Sequence, residues 1–248
     1  MATPGEVTQM IGRAYQYVFI GALEGCMKGF ENKFNVHTEP DKTSFTARTG
    51  KAYSFDFSGV YRRGWSYAEV LGECKGYSAG VGLLAEFRSF LAKVYVTATD
   101  NARHRNDYFW FVTNVPFACS EGSGIRNYEF VRTCLADRSR PEVREILGES
   151  HVDDGLLWPL VDRIGVFILT DSFLVNTDLL YRVNDGESIW AILKKFYGGR
   201  VPSDFGAVAK EIALKNDLPS PDRIRSGKRI RLSWRGIRGV QGGGTGGF

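Results

Sequence analysis

YSFDFSGVYRRGWSYAEVLGECKG, residues 53–76, decides how the rest of the chain is read. It divides into two neighbouring strands. The first carries Asp56 between Phe55 and Phe57, and the second runs from Ala68 to Lys75 and closes on Glu73-Cys74-Lys75. Side chains alternate along a strand, so Glu73 and Lys75 share a face and Cys74 points the other way. If the strands pair, Asp56 joins them. Two carboxylates and an ammonium then meet at one place, a set suited to holding a hard divalent cation beside a phosphodiester. The other reading of the same residues is a cross-strand salt bridge on a wet sheet face.

The pattern of an acid on one strand and acid-x-Lys on the next resembles the PD-(D/E)XK nuclease superfamily, whose fold is restriction-endonuclease-like. The resemblance implies that Asp56 and Glu73 ligate Mg²⁺, with Mn²⁺ as a substitute. It also implies that Lys75 positions the attacking water or stabilises charge on the phosphate, so that Asp56, Glu73 and Lys75 form the catalytic set. Glu24, in Gly21-Ala22-Leu23-Glu24, loosely matches a first-helix glutamate that completes the metal shell in many members. It reads equally as a solvated helix residue. Glu31-Asn32-Lys33 is a second E-x-K, in a polar stretch without strand character, and Pro40-Asp41 is the runner-up for the first acid.

Around this centre the sequence places a helix over Thr3 to Phe30, with Pro4 in its first turn and Ile11, Tyr15, Val18 and Ala22 on its apolar face. Glycines at 12, 21, 25 and 29 lower its intrinsic stability and permit close packing on a sheet. Phe30 to Lys42 reads as turns and Thr43 to Arg48 as a strand. Arg62 and Arg63 sit at a hairpin tip beside Tyr61, Trp65 and Tyr67, where they read either as a phosphate- and base-contacting patch or as a solvated turn. A loop follows Gly76, then a helix from about Val81 to Val96 burying Leu83, Leu84, Phe87, Phe90, Leu91 and Val94. Glu86 falls on its charged outer face, and Arg88 and Lys93 read either as part of that face or as substrate contacts. Tyr108 to Val115 is a short aromatic strand buried on both sides and stopped by Pro116. Gly124 to Gly148 reads as two helices with Pro141 opening the second, and Ile164 to Thr170 as another strand.

From Tyr181 to Trp234 the order is strand, helix, helix, strand. Tyr181-Arg182-Val183-Asn184-Asp185-Gly186-Glu187-Ser188-Ile189-Trp190, then Leu214-Lys215-Asn216-Asp217-Leu218, then Ile224 to Ile230, carry the pattern in sequence. This module resembles a LysM domain, which implies glycan or partner contact through Asp185, Gly186 and Asn216. The plain reading keeps only the fold, with Asp185-Gly186 turning and Asn216 capping. The insert at Gly198 to Phe205 departs from the family's spacing.

Composition sets outer limits. At 43% apolar and 24% charged, 248 residues make a globular chain with a substantial core. Net charge is +4 and unevenly spread. From Thr177 onward there are 13 Lys/Arg against 7 Asp/Glu, and the remainder holds 19 against 21, so the basic end is the better polyanion surface. Cys26, Cys74, Cys119 and Cys134 lack C-x-x-C spacing, and with three scattered histidines there is no zinc signature. No signal-like N-terminus and no apolar run near ~18 residues occur, so a cytoplasmic protein without a membrane span is expected.

The expected fold class is α/β: a restriction-endonuclease-like core with a mixed central sheet flanked by helices over residues 1–174, a small βααβ LysM-like domain over 175–235, and a flexible Gly-rich tail over 236–248. The expected function is Mg²⁺-dependent endonucleolytic hydrolysis of DNA, in restriction or antiphage defence by analogy with the family. The LysM-like part serves docking or substrate contact, and a homo-oligomer is a further partner. Two alternatives stand beside it: a non-catalytic nucleic-acid- or protein-binding scaffold, and an exported glycan-binding toxin nuclease.

Overall fold

The computed structural model describes residues 4–76, 82–116, 127–175, 178–197, 204–222 and 224–233. Inside those ranges it leaves out the side chains of 4–11, 63, 171, 175 and 233. Contacts divide the chain into two compact units, Gly29–Leu169 and Met1–Lys28 with Thr170–Phe248. The expected boundary at 174 therefore differs from the observed division chiefly in the placement of the N-terminal helix.

The Gly29–Leu169 unit is a mixed α/β layer structure. Its five-stranded sheet has the order β1 (Phe30–Asn35), β4 (Phe57–Arg63), β5 (Ser66–Lys75), β6 (Tyr108–Thr113), β7 (Ile164–Ile168). β1, β4 and β5 run antiparallel, and β5, β6 and β7 run parallel. The parallel step from β5 to β6 requires a crossover, which α2 (Leu83–Asp100) supplies. β2 (Ser44–Thr46) and β3 (Ala52–Ser54) form a separate hairpin. The single strand expected around Asp56 is thus broken at that residue, between β3 and β4.

Alternation along β5 and β6 sorts the core into two layers. Leu71, Phe109 and Phe111 point at α2 and pack with its buried Phe87 and Phe90; the Phe87 and Phe90 rings lie 5.1 and 5.3 Å from Phe111. Val70, Trp110 and Val112 point the opposite way, where Phe30 and Phe57 are also buried. Gly72 stands opposite Phe57 in the register, and a Cβ there would come within 2.1 Å of the Phe57 ring. Glycine at 72 is therefore what lets Phe57 lie flat over β5. Helices α3 (Tyr128–Ala136), α4 (Pro141–Leu147) and α5 (Asp154–Val161) add Val131, Leu135, Val143, Ile146, Leu147, Leu157 and Leu160 to the layer under α2. Pro141 takes the first helical position of α4, as expected.

In the other unit α1 (Pro4–Cys26) packs on β8 (Asp178–Arg182). Gly21 and Gly25 make the approach possible: added Cβ atoms would lie 3.0 Å from the Leu180 carbonyl oxygen and 2.2 Å from that of Asp178. The sequence glycines do serve close packing, but on the C-terminal module. α6 (Asp171–Val175) precedes β8, and α7 (Ile189–Phe196), α8 (Phe205–Lys215) and β9 (Arg229–Ser233) follow it. β8 and β9 pair antiparallel, giving the expected βααβ order. Ser188 caps α7, its hydroxyl accepting from the Ala191 N–H. The loop of 77–81, the insert over 198–203, Cys119 and the Gly-rich tail lie outside the described residues. Among the described residues no helix is long and apolar enough to cross a membrane.

Candidate functional site

Pairing of Phe57 with Gly72 sets Asp56 against Glu73. The backbone then fastens Asp56 on both sides: its N–H donates to the Gly72 carbonyl at 2.8 Å, and its carbonyl accepts from the Val36 N–H at 3.0 Å. Its side chain turns toward β5, where Oδ2 accepts the Cys74 N–H at 2.7 Å, between Glu73 and Lys75. Asp56 keeps an exposed edge, whereas Glu73 is 3% exposed.

Two ammonium groups hold Glu73. Lys75 Nζ lies 2.8 Å from Oε1, and Lys93 Nζ lies 3.1 and 3.0 Å from Oε1 and Oε2. Lys93 also donates to the Ser54 carbonyl at 3.3 Å, and Lys75 has a second partner in Glu86 at 3.1 Å. The structure thus brings together Asp56, Glu73 and Lys75 and adds Lys93 and Glu86 from α2. The helical pattern places Glu86 on an outer face and leaves Lys93 either there or near substrate; the structure turns both to the sheet. Residues 86 and 93 are seven apart, two helical turns, so both lie along one side of α2.

The two carboxylates titrate in opposite directions. Burial pushes Asp56 up, and the Glu73 charge adds to it, so its pKa rises to about 6 against the pull of Lys75, the Cys74 N–H and Lys93. Burial pushes Glu73 up as well, but Lys75 and Lys93 together outweigh it and its pKa falls below the ordinary carboxylate value. The difference follows from geometry: Glu73 has both lysines in contact, Asp56 a backbone N–H and a negative neighbour. Burial alone would lower the Lys75 pKa; Glu73, Asp56 and Glu86 reverse that and raise it. These neighbours favour the cationic form of Lys75. Burial also raises the Cys74 thiol, on the opposite face of β5.

A hard divalent cation fits this donor set in one respect and meets competition in another. Two carboxylates converge beside an exposed edge, a charge that Mg²⁺ accepts while keeping several waters. Both Glu73 oxygens, however, already accept from ammonium groups, so an ion must take at least one of those places.

The remaining candidates are on other elements. Glu24 is on α1, in the unit that does not contain Asp56 and Glu73. Contrary to expectation, the second E-x-K is in a strand. Glu31 and Lys33 lie on β1 and pair with each other at 2.8 Å, both side chains partly exposed. Pro40-Asp41 forms a 3-10 turn with Asp41 exposed. Arg62 is at the β4–β5 tip; the Arg63 side chain lies outside the described residues. Asp185 and Gly186 form an exposed turn, Gly186 with φ +74°.

Asn216 closes α8, and its amide is committed inside the module. Nδ2 donates to the Ile212 and Arg231 carbonyls, both at 2.8 Å, and Oδ1 accepts the Arg231 N–H at 2.7 Å. Nearby, Glu187 accepts from Tyr181, the Asn184 N–H and Lys195, which fastens the turn to α7.

One grouping has no signal in the sequence. Glu69, His104 and Asp107 bring their ligating atoms within 4.8 Å of one another. His104 Nδ1 and Asp107 Oδ2 are 2.6 Å apart, and Arg103 donates to Glu69 at 3.1 Å. With Glu69 already paired to Arg103, the group reads as a fastening of the turn after α2 onto β5.

Fold and site together define a mixed α/β protein with a carboxylate–ammonium cluster where its antiparallel and parallel strands meet. No family model and no curated protein matches the chain. Among solved structures, a SAVED/CARF-domain-containing Cap4 receptor from Acinetobacter baumannii aligns at 11% identity and a TM-score of 0.29. That alignment covers 87% of this chain and 41% of the other, so the chain spans about two fifths of its length. A likeness at that score carries no argument for fold or function.

Proposed function

We propose that the chain is a metal-dependent endonuclease acting on DNA, with Asp56, Glu73 and Lys75 as its site. The observation that supports this best is the hydrogen bond from the Cys74 N–H to Asp56 Oδ2 at 2.7 Å. It ties the first acid to the E-x-K peptide itself, which a chance salt bridge on a wet sheet face would not require. The succession of β1, β4 and β5, then α2 and parallel β6, also suits the restriction-endonuclease-like reading.

Asp56 and Glu73 would hold the ion. When bound, Mg²⁺ supplies a coordinated water of lowered pKa and charge opposite the phosphate. This chain's own residues do the rest. Glu73 would exchange one of its ammonium partners for the ion. Lys75 remains near through Glu86 and, as a cation, is placed to meet a phosphate oxygen. Lys93 keeps a second partner in the Ser54 carbonyl. The C-terminal βααβ module serves docking or substrate contact in this reading. Restriction or antiphage defence rests on the family analogy alone.

A second reading has its own observation. Glu73 is neutralised by two lysines without any ion, which is what a non-catalytic scaffold would keep. One assay separates the two: supercoiled plasmid, linear DNA and RNA incubated with Mg²⁺ or Mn²⁺, with and without chelator. The nuclease reading expects plasmid nicking that the chelator stops and that Glu73→Gln and Asp56→Asn abolish while both variants keep their circular dichroism. Intact substrates under every condition would favour the scaffold.

A further inference from the structure

The β4–β5 hairpin turns on Gly64, at φ +62°, and Trp65. Trp65 is fully exposed and Tyr67 is 62% exposed. Tyr67 and Arg62 are partners across the ladder, with the guanidinium 4.7 Å from the centre of the Tyr67 ring and donating to its hydroxyl. Arg62, Gly64, Trp65 and Tyr67 line an open surface hollow.

An indole left wholly in water at a tight turn contributes nothing to the core, and a second aromatic beside it is already overlaid by a cation. Such a cleft selects a flat ring that carries negative charge nearby. In a duplex both faces of each base are already stacked, so an exposed indole is of use to an unpaired base, which aromatic side chains take up whatever its identity. The guanidinium has five N–H donors, and most remain for a phosphate.

We infer that the hairpin tip is a stacking site for an unpaired nucleobase of a single-stranded nucleic acid, with Trp65 and Tyr67 taking the base and Arg62 the adjoining phosphate. Tyr67, Glu73 and Lys75 share one face of β5 by its two-residue period. Eight residues at about 3.3 Å each separate Trp65 from Glu73 by roughly 25 Å along β5; Leu71, between them on that face, is buried under α2, so the tip is a contact of its own. The inference adds to the nuclease reading a contact for an unpaired strand of the substrate, and binding needs no cleavage.

The test uses the full chain in chelator, with labelled oligothymidylate and a blunt duplex, followed by anisotropy and by tryptophan emission. Oligothymidylate should quench the emission. Trp65→Ala should remove that quench and weaken single-strand binding by about 5- to 150-fold, the range for losing one stacked base. Trp65→Phe should keep most of the affinity, and duplex binding should change less than twofold. Unchanged single-strand affinity in Trp65→Ala, an equal loss on the duplex, or no single-strand binding by the parent chain would overturn the inference. Stacking retained by a protein that cleaves nothing would sink the nuclease reading and leave this one standing; cleavage without stacking would do the reverse.

Discussion

Asp56 and Glu73 are chemically alike and held in opposite ways, and their titrations test the site without any substrate. The folded pKa of Asp56 is about 6, against an ordinary value of 3.8. Between those values the folded chain keeps a proton that the unfolded chain has released, so this group makes stability fall as pH rises through the window. Asp56→Asn removes the effect and retains an oxygen for the Cys74 N–H. The variant should be more stable than the parent at pH 7, by on the order of 2–3 kcal/mol, since each tenfold difference in proton affinity between the folded and unfolded chain is worth about 1.4 kcal/mol. The gain should shrink toward pH 4. Urea unfolding at the two pH values reads it directly. Glu73 has the reverse sign: its folded pKa is lowered, so its contribution is present above the ordinary carboxylate value and fades as pH falls through the lowered one. Glu73→Gln should cost about 3–5 kcal/mol at neutral pH, because it leaves Lys75 and Lys93 crowded in a buried place with their shared anion gone. An Asp56→Asn variant less stable than the parent at pH 7 would mean that the carboxylate is satisfied where it lies. Stability given up at one residue and recovered by its neutral analogue is the usual mark of a site kept for function.

At the level of the element, α1 carries two glycines whose surroundings predict opposite outcomes. Nothing lies within 4 Å of a Cβ added at the exposed Gly12, whereas one added at Gly25 would meet the Asp178 carbonyl oxygen at 2.2 Å. Gly12→Ala should stabilise by about 1 kcal/mol through helix propensity. Gly25→Ala gains the same propensity but must push α1 off β8, an overpacking cost of about 1–3 kcal/mol, so its net effect is neutral to destabilising. Thermal unfolding of the pair compares them. Asn216→Ala should lower stability by about 2–3 kcal/mol, since its three hydrogen bonds tie the end of α8 to β9. Any glycan-binding test at that residue would thus measure folding, and the exposed Asp185 is the better probe. The same elements show what is legible in the sequence. Hydrophobic alternation places β5 and β6, and the E-x-K spacing places Glu73 and Lys75 on one face, because both depend on local period alone. β1 is hidden because an edge strand reading FENKFN carries the charges and amides that protect an edge and so resembles a loop. Lys93 and Glu86 are hidden because their role depends on the rotation of α2 over the sheet, which a tertiary contact fixes and no local pattern records.

Across the whole molecule, the unit that holds α1 is assembled from both ends of the chain, with residues 29–169 forming the other unit between them. The boundary at 174, drawn from the two resemblances, groups α1 with residues 29–169, whereas contacts group it with the C-terminal module. Tyr17 of α1 lies 6.5 Å from Tyr181 and 6.0 Å from Phe196, ring centre to ring centre, and Gly21 and Gly25 lie against β8. All of these partners come after residue 174. A helix of this length with several glycines has little stability of its own in water, and most of it comes from packing an apolar face. A chain ending at 174 should therefore lose α1 as an ordered element. Arg13, exposed on that helix, should resist trypsin in the full chain and be cut early in the shortened one, with mass spectrometry identifying the site. Equal resistance at Arg13 in both would mean that α1 is held by something other than β8 and α7. The outcome also decides how the proposed site is best tested: if α1 and the C-terminal module fold as one, a shortened chain that fails to cleave DNA says nothing about Asp56, Glu73 and Lys75, and the point variants in the full chain carry the result.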